Sequence, residues 1–252
     1  MIEFREVSKI FKKTKAVDTI TLTIPKGKTV ALIGANGSGK TTMMRMISTL
    51  IEPTKGKIYV NGFQTTKNVT EVRKQIGLML GGDAALMKRF SARENILFYA
   101  NMQGMEKEQA EKRIKQLSAL LNMNAYLDKR VETFSRGMRQ KVLLAQTLVH
   151  DPAVLLLDEP STGLDIFATM EIQNIIKQCN ALGKTILISS HNMSEVTALC
   201  NYFIMIHKGK LLFDGDIGGL QEKCGTTDIG NAFTNLIETY NDGERSCNFG
   251  RC

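Results

Sequence analysis

Long apolar runs are absent from this sequence. Its longest uncharged apolar stretches, such as residues 153–157, are far shorter than the roughly 20 residues that a membrane-spanning helix requires. The first five residues, MIEFR, also lack the apolar segment of a secretory signal peptide. These absences predict a soluble chain in the cytoplasm.

The cysteines lack the spacing of a metal site or a redox pair. None of the five forms a C-x-x-C pair, and no histidine stands near them at the spacing of metal ligands. An odd number of cysteines in a chain without an export signal fits a reducing compartment. We therefore expect structural or inert cysteines.

Aromatic residues are also scarce, at 6% of the chain. The formal net charge of +8 is compatible with nucleic acid, an anionic membrane surface or a phosphorylated ligand as partner. It is equally compatible with an ordinary solvated surface. Because the basic residues are dispersed and aromatic stacking platforms are missing, we expect no nucleic-acid partner.

Apolar strands alternate with helical segments along most of the chain, which indicates an α/β fold. Strands are predicted at residues 2–7, 20–24, 29–33, 58–60, 76–80, 154–157, 185–189, 202–206 and 211–213, with turns at 12–15, 61–62 and 208–209. Helices are predicted at residues 40–50, 92–102, 107–122, 137–149, 164–182, 194–200 and 231–239. This order predicts a mainly parallel sheet covered on both faces, with an antiparallel β portion.

One stretch, residues about 84–132, favours helices only and predicts a helical insertion. Within it Ile114, Leu117, Leu120 and Leu121 recur at spacings of three and four, as on one apolar helix face. We expect one domain over residues 1–219 that contains this insertion. Residues 220–252 would form a C-terminal extension.

A glycine-rich loop joins the predicted strand 29–33 to the helix that follows it. Its sequence, GANGSGKT at residues 34–41, matches the phosphate-loop pattern G-x-x-x-x-G-K-[ST] in the strand–loop–helix context that the pattern requires. Glycines let the backbone N–H groups approach phosphate oxygens at the start of the helix. Lys40 supplies a fixed positive charge, and the Thr41 hydroxyl is a candidate Mg²⁺ ligand. The predicted nucleotide-binding residues of this loop are Gly34, Asn36, Gly37, Ser38, Gly39, Lys40, Thr41 and Thr42.

Two carboxylates end the very apolar strand at residues 154–157. In a parallel sheet this places Asp158 and Glu159 at the edge where ligands bind. After a phosphate loop, Asp158 is expected to hold the Mg²⁺ shell and Glu159 to act as general base towards the attacking water.

Four further segments narrow the choice among phosphate-loop proteins. Residues 134–140, FSRGMRQ, precede the carboxylate strand, and residues 161–165, STGLD, follow Glu159. His191 follows the strand at 185–189, and Phe11 precedes the phosphate loop. From residue 2 to about 219, the order and spacing of these segments resemble the ABC family of ATPases. Residues 134–140 resemble its signature loop and residues 161–165 its D-loop.

The resemblance implies a mechanism based on ATP and Mg²⁺. Two such subunits, identical or related, would pack head-to-tail with ATP between them. The signature residues Ser135, Arg136, Gly137 and Met138 of one subunit would contact the phosphates held by the other. His191 would sense or position the γ-phosphate, Phe11 would stack on adenine and Asp165 would belong to the D-loop. The partner would be an integral membrane permease, which places the subunit peripherally at the cytoplasmic face of the membrane.

Taken alone, two of these residues also suit simpler roles. Ser135 is a residue type that caps helices, and a helix is predicted directly after it. His191 alone is compatible with an ordinary histidine at a strand end. The joint pattern favours the functional interpretation of both.

The sequence departs from the family pattern at two places. The signature has Phe134, Arg136 and Met138 where leucine, glycine and glutamine are usual, a variant similar to the Ser-Arg/Lys-Gly-Met form of exporter ATPases. The loop after residues 76–80 has Gly81-Gly82-Asp83 where the family usually has a glutamine. With the sequence AREN at residues 92–95, this loop resembles that of ATPases of drug, sodium or lipid exporters with a separate permease chain.

An ATPase subunit of an exporter is therefore the predicted function. An importer subunit, or an ABC ATPase that acts on ribosomes or DNA, is the alternative. The transported substrate is selected by the permease and is not encoded here.

Overall fold

The computed structural model describes residues 1–82 and 85–249, and the side chains of residues 1–82 and 85–241. Its strands, in chain order, are β1 (Ile2–Phe11), β2 (Thr14–Ile24), β3 (Thr29–Ile33), β4 (Lys55–Val60), β5 (Phe63–Gln64), β6 (Ile76–Met79), β7 (Val154–Asp158), β8 (Thr185–Ser189), β9 (Tyr202–His207) and β10 (Lys210–Asp216). Its α-helices are α1 (Lys40–Ile47), α2 (Val69–Gln75), α3 (Ala92–Met102), α4 (Lys107–Leu120), α5 (Arg136–Leu148), α6 (Ile166–Ala181), α7 (Met193–Leu199), α8 (Ile217–Cys224) and α9 (Ile229–Phe249). A 3-10 turn occupies Val131–Thr133.

The larger sheet has six strands in the order β10-β9-β3-β8-β7-β6. All its neighbours pair in parallel except β9 and β10, which form an antiparallel hairpin. The predicted mainly parallel sheet is therefore confirmed. Because β3, β6, β7 and β8 are parallel, the segments that follow them begin at the same edge of the sheet.

Both faces of this sheet are buried, as the strand sequences predict. Every residue of β3, β7 and β8 is buried. Val30 and Leu32 belong to one apolar core, whereas Ala31 and Ile33 belong to the other. This alternation follows from the two-residue period of a strand, and it requires cover on each side.

A smaller antiparallel sheet, in the order β2-β1-β4-β5, covers one face together with α1. Its β1 and β2 are longer than predicted, so the turn between them comprises only Lys12 and Lys13 instead of residues 12–15. The backbone N–H of Asp18 in β2 donates to the carbonyl of Gly209, 2.8 Å away, in the β9–β10 turn. The two sheets are thus joined beside the phosphate loop.

Helices α3, α4 and α5 contribute to the core on the other face. Ile114, Leu117 and Leu121 are buried there as predicted, but Leu120 is 41% exposed. Successive residues of a helix are rotated by about 100° around its axis, so Leu120 points about 100° away from Leu121. This direction lies beyond the edge of the buried apolar face. The prediction of Leu120 on the apolar face was wrong.

The C-terminal extension packs against the same core. Leu220 in α8 and Ile229 and Ala232 in α9 are buried members of it. Helix α9 is longer than the predicted segment 231–239, and α2 and α8 were not predicted. Within the described residues, none of the helices is both long and apolar enough to traverse a membrane.

Candidate active site

The phosphate loop turns between β3 and α1 under tight steric limits. A Cβ on Gly34 would lie 2.3 Å from Oγ of Ser38, and a Cβ on Gly39 would lie 2.5 Å from the carbonyl oxygen of Ala16. Gly39 also has a φ of 112°, which residues with a side chain rarely adopt. Glycine is therefore required at both positions, and α1 begins immediately afterwards at Lys40.

The side chain of Lys40 is largely buried and reaches back into this loop. Its Nζ donates to the carbonyl oxygens of Gly34, at 2.6 Å, and Ala35, at 3.2 Å. Burial lowers the pKa of Lys40, and the charges of Glu159 and Asp158 act in the opposite direction. A cation held in this way favours an anionic ligand beside it.

Asp158 joins the phosphate loop to the centre of the sheet. The Thr41 hydroxyl donates to Oδ2 of Asp158 at 3.1 Å, and the Ser189 hydroxyl donates to Oδ1. Asp158 is buried with both carboxylate oxygens engaged. The group presents a hydroxyl and a carboxylate, the hard oxygen donors that Mg²⁺ prefers.

Glu159 leaves the strand in an unusual backbone conformation. Its φ of 54° lies in the left-handed region, which is uncommon for a residue with a side chain. Oε2 accepts a hydrogen bond from the Thr162 hydroxyl at 2.7 Å, and Oε1 lies 2.8 Å from Nδ1 of His191. Both oxygens of the predicted general base therefore have defined partners.

These residues surround one cleft of about 250 Å³. It is lined by Ala16, Asn36, Gly37, Ser38, Gly39, Lys40, Thr41, Thr42, Asp158 and Glu159. Nine of these ten residues were predicted from the sequence. Ala16 was not, because the pairing of β1 with β2 brings it to the loop and no local motif marks it.

The predicted signature residues do not line this cleft. Ser135 caps α5, where its Oγ accepts from the backbone N–H of Met138 at 3.3 Å, as its residue type predicts. A Cβ on Gly137 would lie 3.3 Å from Cβ of Ala168 in α6, so the start of α5 packs closely on α6. Arg136 is exposed at the same end of α5.

Other predicted positions also lie outside the cleft lining, and Gly34 and His191 are among them. Phe11 is 45% exposed at the end of β1, with Nζ of Lys9 5.1 Å from its ring centroid. Asp165 caps α6 by accepting from the N–H of Ala168 at 2.9 Å. Gly81 is near Asp158, since a Cβ on it would lie 3.6 Å from the Asp158 carbonyl oxygen. Asp83 falls outside the described residues.

Comparison with known proteins gives a consistent assignment. Residues 17–162 match the ABC transporter family. ABC transporter ATP-binding protein NatA of Bacillus subtilis is 43% identical over 241 residues, which cover 94% of this chain and 98% of NatA. Linearmycin resistance ATP-binding protein LnrL of Bacillus subtilis is 31% identical, covering 89% of this chain and 72% of LnrL. Methionine import ATP-binding protein MetN of Mannheimia succiniciproducens is 34% identical, covering 86% and 65%.

Solved structures share the fold. The structure of an ATP-binding subunit of an ABC transporter superimposes with a TM-score of 0.86 at 25% identity, covering 94% of this chain and 99% of that one. The dimeric structure of a bacterial ABC transporter cassette gives a TM-score of 0.78 at 25% identity, covering 86% and 98%. With the phosphate loop, the two carboxylates and this match together, the chain belongs to the ABC transporter family as an ATP-binding subunit.

Proposed function

We propose that this ATPase energises an exporter whose permease is a separate chain, and that it does so from the cytoplasmic face of the membrane. The observation that carries the ATP-driven part of the proposal is the meeting of Lys40, Thr41, Asp158 and Glu159 around one cleft. The loop and the carboxylate strand come from sequence segments more than a hundred residues apart. Their convergence provides the charge and the base that phosphoryl transfer to water requires.

The charged residues in and beside the cleft have roles that follow from their chemistry. Lys40 and the N–H groups of the loop hold the phosphates and stabilise their charge. Glu159 orients a water molecule and accepts its proton on a carboxylate oxygen as that water attacks. His191, which contacts Oε1 of Glu159, keeps the carboxylate orientation and would sense the γ-phosphate.

Thr41 and Asp158 would hold Mg²⁺. Their 3.1 Å contact supports this assignment, because two oxygen donors so close together would serve one small cation, either directly or through its water shell. When bound, Mg²⁺ neutralises charge on the phosphate oxygens. The protein's own contribution is to place the two oxygen donors beside each other, with Asp158 buried and Thr41 partly buried.

A second subunit is required for the signature residues to reach a nucleotide. Ser135 and Arg136 lie at the start of α5 and not in the cleft of their own chain. A head-to-tail pair, as the dimeric structural neighbour suggests, brings them to the partner's phosphates. Ile166 and Phe167, which follow Asp165, are 77% and 82% exposed and offer apolar surface for such a contact.

The permease would dock beside the loop that joins β6 to α3. Phe90 is 43% exposed, with Lys88 and Arg89 exposed next to it, which favours a partner contact over a place in the insertion's own core. One turn apart on α3, Phe98 and Met102 are 49% and 70% exposed. We assign this apolar surface to a cytoplasmic helix of the permease.

The direction of transport rests on the relatives. LnrL, which is named for linearmycin resistance, favours export. MetN, an import protein at 34% identity, keeps the importer as the second candidate.

One experiment tests both the partner and the direction. The tagged subunit is purified from membranes in mild detergent, and its co-purifying proteins are identified. An exporter predicts a membrane permease and ATP hydrolysis that needs no additional soluble component. Hydrolysis that depends on an extracytoplasmic binding protein would overturn export, and the absence of any permease would overturn the transport role.

A further inference from the structure

Thr162 is the only residue besides His191 whose side chain hydrogen-bonds the Glu159 carboxylate within the described part of the chain. Its hydroxyl donates to Oε2 at 2.7 Å, whereas His191 contacts Oε1 at 2.8 Å. A carboxylate held at one oxygen retains rotation about its last torsion. Held at both oxygens, it has a fixed plane, and Thr162 supplies the second constraint.

The segment that carries Thr162 is fastened to the start of α5. Nε2 of Gln140 donates to the carbonyl oxygen of Pro160, with both groups buried. Four residues earlier on the same helix, Arg136 covers Gly163. A Cβ on Gly163 would lie 2.5 Å from Cζ of Arg136, so the guanidinium occupies the space that any side chain at 163 would need.

Arg136 can pack on Gly163 because, within the described residues, its guanidinium forms no ion pair with a carboxylate. Across residues 1–82 and 85–241, no ion pair or hydrogen bond of its guanidinium is found. Gly163 has no Cβ, so the planar guanidinium can lie directly against its backbone, and its φ of 72° also favours glycine at this position. The contact thus links Gly163 to Arg136, the first residue of α5.

We propose that Thr162 is a positioning residue for Glu159 and that Arg136 sets the position of Thr162 by bracing Gly163. The start of α5 and the catalytic carboxylate then move as one unit. The inference rests on the proposed function, in which that end of α5 faces a nucleotide held by another subunit. A nucleotide contact at Arg136 would thereby adjust Glu159 in the other cleft.

Valine and serine substitutions test the hydroxyl of Thr162. Thr162→Val keeps the shape and removes the donor, and we expect kcat to fall roughly 10- to 100-fold with KM for ATP unchanged. Thr162→Ser restores the donor and should recover most of the wild-type kcat. A wild-type kcat in Thr162→Val, or an equal loss in Thr162→Ser, would overturn the positioning role.

A double-mutant cycle tests the role of Arg136. If Arg136 acts on Glu159 through Thr162, Arg136→Ala combined with Thr162→Val should reduce kcat by less than the product of the two single losses. If the two losses in kcat multiply, Arg136 acts independently of Thr162, and the proposed link between them is overturned. Lys40→Ala is the reference, because wild-type hydrolysis in that variant would contradict the proposed function itself and not only this inference.

Discussion

The hydroxyl of Thr41 lies 3.1 Å from Oδ2 of Asp158, although the two residues are 117 positions apart in the sequence. Thr41 lies in the first turn of α1, and Asp158 ends β7, two strands away from β3 in the sheet. The parallel arrangement brings both to the same edge. The phosphate loop and the carboxylate strand therefore form one site at that edge, with β8 between their two strands.

Asp158→Asn should raise the Mg²⁺ requirement of the ATPase. Asparagine keeps the shape and the hydrogen bond from Thr41 but removes the negative charge. We expect the Mg²⁺ concentration for half-maximal hydrolysis to rise roughly 10- to 100-fold. Nucleotide binding measured without divalent cation should change little. An unaltered Mg²⁺ requirement would remove Asp158 from the proposed metal site.

Lys40→Ala should weaken ATP binding without unfolding the protein. Loss of a charged hydrogen-bond donor costs about 1.5–3 kcal/mol, or roughly 10- to 150-fold in Kd. Titration with a fluorescent nucleotide measures the loss, and Lys177→Ala, at an exposed position on α6, is the matched control. Equal affinity in the two variants would contradict the assignment of the cleft.

Phe90→Ala should reduce permease-dependent transport and leave the ATPase activity of the isolated subunit near that of the wild type. The reason is that Phe90 is 43% exposed and has no place in the buried core. Leu182→Ala, at a residue 79% exposed after α6, controls for the loss of any surface apolar group. Joint loss of stability and isolated activity in Phe90→Ala would make Phe90 a structural residue.

Ser91→Ala should lower the free energy of unfolding by about 1 kcal/mol, because Ser91 and Glu94 cap α3 reciprocally. Urea denaturation measures the change, and Ser91→Thr, which keeps a capping hydroxyl, should retain most of the stability. Hydrogen bonding from Ser91 lowers the pKa of Glu94. The ionised carboxylate of Glu94 therefore stabilises the folded protein at pH values above its unfolded pKa. This stabilisation is lost as the pH falls through the lower pKa of the folded state. A Ser91→Ala variant as stable as the wild type would show that packing alone holds α3.

The elements that sequence could predict are those with a strong local signal. The bounds of β3, β8 and α3 agree with prediction, since apolar runs or helical periodicity end there at glycines, polar residues or a cap. Helix α8 was missed because Gly218 and Gly219 lower helix propensity in its first turn, although Asp216 caps it through the N–H of Gly219.

The residues of the site also differ in whether a local sequence pattern marks them. The phosphate loop and the two carboxylates have fixed spacing in the sequence, so their meeting in one cleft could be predicted. Ala16 and Thr162 could not, because an antiparallel pairing and a loop conformation bring them to the site. The roles of Phe11, His191 and the signature residues stay predictions, since they depend on a nucleotide and a second subunit.

The most direct test is Glu159→Gln in the presence of Mg²⁺ and ATP. Glutamine keeps the shape of the side chain but cannot accept the proton, so hydrolysis should fall by ~10²–10⁴-fold while ATP still binds. Light scattering after size-exclusion chromatography should then show a two-chain species that requires ATP. Wild-type turnover would place the base elsewhere, and a variant that binds ATP yet remains a single chain would contradict the proposed ATP-bound pair.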